Sequence, residues 1–151
     1  MKNFKNITIA LLLVLIFTAS SKVYAGGVGF INYKKVQDNY SYAQNIAKEL
    51  DNKGLELQQY LVDKEKQFKA LDTPLKKKNF EDKTKKEFEA KQSAYVNYKL
   101  KKEEEVFKKI QAAAKQVLVE QKLDAIIDYR TIFVGGLDVT DLVINKLKTG
   151  K

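Results

Sequence analysis

The 151-residue sequence predicts an α+β chain that is mostly helical, with a small β body formed by oligomerisation and a long antiparallel two-helix coiled-coil arm. Three observations predict it. From about Lys34 to Lys122 the chain is rich in Lys, Glu, Gln, Ala and Leu and is broken by the sequence's single proline. Apolar runs of β character flank this stretch on both sides. The strand and short-helix pieces together amount to roughly 45 residues, near the size below which a core rarely stands alone, so self-association is required to complete the body.

The first 25 residues read as an export signal. Lys2 and Lys5 precede an apolar run from Ile7 to Phe17, and Val23-Tyr24-Ala25 places small or modest residues where a signal peptidase reads, so cleavage is expected between Ala25 and Gly26. The run is about 11 residues long, whereas a spanning helix needs roughly 20. Without Lys2, Lys5 and Lys22, the 126-residue mature chain sets 25 basic side chains against 19 acidic ones, net +6. Export places it beyond the inner membrane, where neither ATP nor nucleic acid is an expected ligand, and no phosphate-binding loop motif argues otherwise.

Gly26-Gly27 leads into a first strand, Val28-Gly29-Phe30-Ile31-Asn32, and residues 26–40 join residues 122–151 in the oligomerisation body. Residues 41–121 form the arm. Within it Ala47, Leu50, Gly54, Leu57, Leu61, Lys64, Phe68 and Leu71 follow alternating steps of three and four, the seam spacing of a left-handed coiled coil. Asp72-Thr73-Pro74 ends that helix and starts another, because Pro is tolerated at the first helical position and Asp72 or Thr73 can cap it; the tip lies near 72–75. A second helix to about Gln121 carries Phe80, Phe88, Tyr95, Tyr98, Val106, Ile110, Ala113 and Val117 along a less regular stripe. Two long helices joined by a tight break fold back on each other.

Beyond the arm, Asp124-Ala125-Ile126-Ile127-Asp128 and Thr131-Ile132-Phe133-Val134 read as strands and Gly135-Gly136 as a turn. Asp138 is the expected N-cap of a closing helix, with Asp141 three residues on and Leu142, Val143, Ile144 and Leu147 as its apolar face. The residues expected to join copies are Val28, Phe30, Ile31, Ile126, Ile127, Ile132 and Val134.

Charge concentrates toward the arm tip. Between Lys64 and Lys102 stand 13 Lys and six acids, a net +7, while the rest of the mature chain has 12 basic and 13 acidic residues. Lys64, Lys66, Lys69, Lys76, Lys77, Lys78, Lys83, Lys85 and Lys86 are the candidate client- or anion-binding residues of the arm, since a single-sign field on an exposed rod steers an anionic partner. The bland alternative is a solvated helix surface held by pairs such as Glu81 with Lys85 and Glu87 with Lys91.

Catalysis finds few parts here. With no His and no Cys, the sequence has no imidazole base, no thiolate and no ordinary zinc or iron–sulfur site. Asp124 and Asp128, four apart on a strand, stand roughly 13 Å from each other, beyond either spacing used by glycosidases. No enzyme activity, catalytic residue, metal or cofactor is expected.

The two ends carry a resemblance. The first strand, the Lys/Glu/Gln hairpin, Leu123 to Asp128, and the closing Asp138-Val139-Thr140 with Val143 resemble the Skp/OmpH family of periplasmic chaperones over nearly all of the mature chain. The resemblance implies an ATP-independent periplasmic holdase that binds unfolded outer-membrane proteins and prevents their aggregation before membrane insertion. It also implies a homotrimer whose joined strands carry three arms around a cavity. Lipopolysaccharide or an anionic membrane surface is a further possible partner. The alternative from a different class is a basic coiled-coil envelope tether that binds lipopolysaccharide or another anionic polymer.

Overall fold

The computed structural model describes residues 26–150 and shows an α+β fold that is mostly helical. The expected export signal, Ala25 included, lies outside the described residues. Strand β1 (Gly27–Ile31) leads into α1 (Tyr33–Asp38), then α2 (Ser41–Lys69) and α3 (Pro74–Glu120). Strand β2 (Leu123–Asp128), a single 3₁₀ turn (Tyr129–Thr131), β3 (Leu137–Asp138) and α4 (Thr140–Thr149) complete the order.

The start of α3 has a local reason. Pro74 occupies the first helical position of α3, and the Thr73 side chain accepts from the Lys76 backbone N–H at 3.4 Å. Cross-helix contacts pair Tyr42 with Glu105, Glu49 with Tyr98, Tyr60 with Glu87 and Phe68 with Phe80. Partner numbers rise along α2 as they fall along α3, so the two helices run antiparallel. At 47 residues α3 is far longer than α2, with 29, and extends roughly 70 Å. Its last turns overrun the start of α2 and pack on β2 and α4.

The core sits at that end. Ile110, Ala113 and Val117 of α3 meet Val36, Leu123, Val139, Val143 and Ile144 in one buried cluster. The Thr140 hydroxyl, buried among them, accepts from the Asn32 backbone N–H at 2.9 Å, so the last helix is stitched to the end of β1. All strands are parallel in the order β2-β1-β3, with Gly29 opposite Ile126 and Leu137, and Phe30 opposite Ile127 and Asp138. A side chain at position 29 would bring its Cβ within 2.7 Å of Leu123, which explains glycine in the middle of a central strand.

Three expectations are corrected. Thr131-Ile132-Phe133-Val134 is not a strand: the Asp128 carboxylate turns back to accept from the Arg130 backbone and guanidinium, and Thr131 Oγ1 donates to the Asp128 carbonyl, so β2 closes in a 3₁₀ turn. A loop follows, and the third strand is Leu137–Asp138. The N-cap of α4 is Val139, not Asp138. Asp138 is held in the sheet beside Phe30, and from one residue further out its carboxylate accepts from the Thr140 backbone N–H at 2.9 Å. Finally, Ala47 and Leu61 are exposed, and the inward positions are Ala43, Ile46, Leu50, Leu57 and Tyr60. A straight helix drifts against a strict three-and-four repeat, so the stripe slips by one residue at two points.

Candidate binding surfaces on the arm and body

The lysines of the arm are not equivalent. Lys64 lies in the seam, half-buried, 3.3 Å from Glu87 and over the rings of Tyr60 and Phe80 at 5.2 and 5.6 Å. Lys77 covers Phe68 at 5.5 Å. Lys66, Lys69, Lys76 and Lys83 make exposed pairs with Asp63, Glu65, Asp72 and Glu87 at 3.9, 2.6, 2.9 and 3.8 Å. Such pairs contribute little to stability and leave the ammonium groups in water. Lys78, Lys85 and Lys86 are exposed and have no acidic partner among the described residues. The pairs anticipated between Glu81 and Lys85 and between Glu87 and Lys91 are not made. Glu87 faces Lys64 and Lys83 instead, and Lys91 sits over the Tyr60 ring at 5.1 Å.

Polar rungs hold the two helices where aliphatic residues run out. Tyr60 Oη donates to Glu87 at 2.7 Å and Tyr42 Oη to Glu105 at 2.8 Å, while Tyr98 donates to Glu49. The Tyr60 hydroxyl, then Lys64, hold the Glu87 carboxyl below the usual range. Glu105 is lowered likewise, by Lys102 first and Tyr42 second. Partial burial and then the bond to Glu87 push the Tyr60 phenol up to about 12. Between the rungs, where Gly54 stands opposite Tyr95, the helices leave an open cleft of about 400 Å³ bordered by Lys53, Leu57, Tyr60, Lys91 and Tyr98.

The body presents a different chemistry. Of the residues expected to join copies, Val28, Ile127 and Val134 are exposed, Phe30, Ile126 and Ile132 are half-buried, and Ile31 belongs to the chain's own core. Gly26 lies just before β1, against the Asp124 carboxylate. Tyr42 and Tyr60 as cross-helix rungs, and the exposed Phe107, Phe133 and Leu137, escaped sequence reasoning. Tyr60 is one residue off the expected seam, Phe107 lies off the apolar stripe of α3, and Phe133 falls in a run that reads as a strand.

The model of the family described as outer membrane protein (OmpH-like) matches residues 27–147, from β1 into α4. The chain belongs to this OmpH-like family. No curated protein matches it. Among solved structures, it is similar to a candidate outer membrane chaperone (OmpH-like) from Caulobacter crescentus CB15. The two share 15% identity over 83% of this chain and 86% of that one, with a TM-score of 0.41.

The OmpH-like chain therefore offers a cationic rod and an apolar body in one molecule. Among the described residues no group of three or more His, Cys, Asp or Glu is placed to hold a metal ion. Tyr42, Tyr60 and Tyr98, whose phenols are raised, and Glu87 and Glu105, whose carboxyls are lowered, are engaged across the helix pair as structural rungs.

Proposed function

We propose that the chain is an ATP-independent holdase chaperone of the periplasm, delivered there by its N-terminal signal. It binds unfolded outer-membrane β-barrel proteins and keeps them from aggregating before membrane insertion. Family membership supports this reading, and the observation that carries it is the distribution of charge on the arm. A rod with 13 Lys and six acids between Lys64 and Lys102, several of those Lys exposed and without acidic partners, attracts anionic chains from a distance. An unfolded membrane strand alternates apolar and polar residues, so in water it exposes apolar surface that aggregates unless shielded. Many weak contacts along several arms hold such a chain without selecting a fold, and release follows when the client folds in the membrane. Self-association through the body, as the homotrimer implied by the family, brings the arms together.

The test is direct. A urea-denatured outer-membrane β-barrel protein is diluted into the exported form of the chain while light scattering and complex mass are followed. Suppressed scattering, with a mass near three chains plus one client, is the expected result. Unabated aggregation beside a stable oligomer overturns it in favour of an envelope tether binding lipopolysaccharide or another anionic polymer.

A further inference from the structure

Midway along α2 the two helices of the arm do not close on each other. Gly54 stands at a seam position opposite Tyr95 of α3, and a Cβ there would meet nothing closer than Tyr95 Oη, at 3.7 Å. Alanine would fit and would make the stronger helix, because glycine in a helix interior gives up more conformational freedom on folding. Packing therefore supplies no reason for glycine at this place. What the missing side chain does is keep open the cleft of about 400 Å³ between the tyrosine rungs.

The groups around this cleft are fixed in place, and several are uncommitted. At one end Lys53 Nζ lies 4.8 Å from the centre of the Tyr98 ring, and at the other Lys91 Nζ lies 5.1 Å from that of Tyr60. Both of those tyrosine hydroxyls donate to carboxylates of the opposite helix, Tyr98 to Glu49 and Tyr60 to Glu87, which holds the rings. Neither Lys53 nor Lys91 forms an ion pair among the described residues, and the hydroxyl of half-buried Tyr95 between them makes no hydrogen bond there. Glu56, exposed on the rim, pairs with neither lysine. Lys53 and Tyr60 are two helical turns apart on α2, and Lys91 and Tyr98 two turns apart on α3, so the ammonium groups stand roughly 10 Å from each other.

We propose that this cleft is a client subsite, selecting a segment of unfolded chain that carries two carboxylates with apolar residues between them. The proposal rests on the holdase function proposed above and names the client chemistry that one place on the arm selects. Unfolded chains populate the polyproline II conformation, in which residues three apart share a face and lie about 9 Å apart. That separation matches the two lysines. The carboxylates meet Lys53 and Lys91, while the apolar side chains between them lie against Leu57 and the tyrosine rings. Unlike the diffuse attraction of the tip lysines, this contact depends on the spacing of the charges. Glu56 offsets part of the attraction and weakens the hold.

The chain has no Trp, so a peptide with one Trp reports its own binding without background. The probe is the end-capped peptide Gly-Asp-Trp-Val-Asp-Gly, compared with Gly-Trp-Val-Asp-Asp-Gly, of the same composition but with its acids adjacent. Titration with the chain is expected to shift the Trp emission to the blue and to saturate, with the spaced peptide held more tightly. Lys53→Gln and Lys91→Gln are each expected to weaken that binding about two- to fivefold, the range of exposed ion pairs, with helicity unchanged, and Glu56→Gln to tighten it. Equal affinity for the two peptides, or unchanged affinity in the double lysine variant, overturns the proposal. Loss of lipopolysaccharide binding in that variant, with peptide binding kept, also overturns it and assigns the cleft to an anionic lipid. If the spaced peptide fails to bind while the unsubstituted chain still keeps a denatured outer-membrane protein from aggregating, only this subsite fails. If aggregation goes on unabated, the holdase reading fails and the client subsite with it.

Discussion

Glu87 accepts the Tyr60 hydroxyl and faces both Lys64 and Lys83, so one carboxylate ties α2 to α3 near the tip. Because Glu87 and Glu105 are held below the usual glutamate range, their stabilising contribution is full above that range and is lost as pH falls through the lowered values. Tyr60 has the opposite sign: with its phenol raised from 10.0 to about 12, its contribution is full below 10 and disappears as pH rises through 12. Helicity-monitored melting should therefore weaken at both pH extremes, and Tyr60→Phe should remove a late-ionising phenol from the ultraviolet titration. An alkaline titration identical in the variant would contradict the rung. Gly54 offers a second test at this scale. A Cβ there meets Tyr95 Oη at 3.7 Å, an ordinary contact, so Gly54→Ala should raise stability by about 0.5–1 kcal/mol in denaturant unfolding.

Helix limits were legible because their causes are local. Pro74 and Thr73 start α3 by backbone and capping geometry, and the run from Ser41 to Lys69 contains no proline to interrupt α2. The phase of the seam is a different matter, since it depends on which face the partner helix meets. Paired alanine substitutions separate the two phases. Leu50→Ala, at a buried position, should cost about 2–4 kcal/mol, whereas Leu61→Ala, on the exposed side, should stay within about 0.5 kcal/mol. Equal costs would restore the regular seam. The failure at 131–134 has a similar origin: a β-branched, aromatic run is necessary for a strand, but pairing needs a partner edge. The Asp128–Arg130 turn takes the chain away before it can pair.

Lysine concentrates toward the tip, while exposed apolar side chains occur both on the arm, at Leu55, Leu75 and Leu100, and at the body, at Val28, Phe133 and Leu137. Changing Lys78, Lys85 and Lys86 together to Gln should weaken client capture, and more so at low salt, because exposed charges are screened beyond roughly 10 Å at 0.1 M salt. A salt-independent loss, or none, in a binding titration would show these lysines to be solvated surface. The concentration of lysine was readable from the sequence, but the division of labour within it was not. Lys64 has the same spacing and company as its neighbours, yet Tyr60, Phe80 and Glu87 converge on it from the seam.

The sequence by itself determined the proportions of this protein: two strands at its ends, two long helices between them, a break at Asp72-Thr73-Pro74 and a cationic outer arm. Those features follow from periodicity, capping and charge, which act between residues a few positions apart. Only the tertiary structure decided the phase of the seam, the tyrosine–glutamate rungs, the half-buried setting of Lys64 and the exposure of Phe133. Each of these depends on which surfaces the fold brings together or leaves uncovered, and residues far apart in the chain settle that jointly.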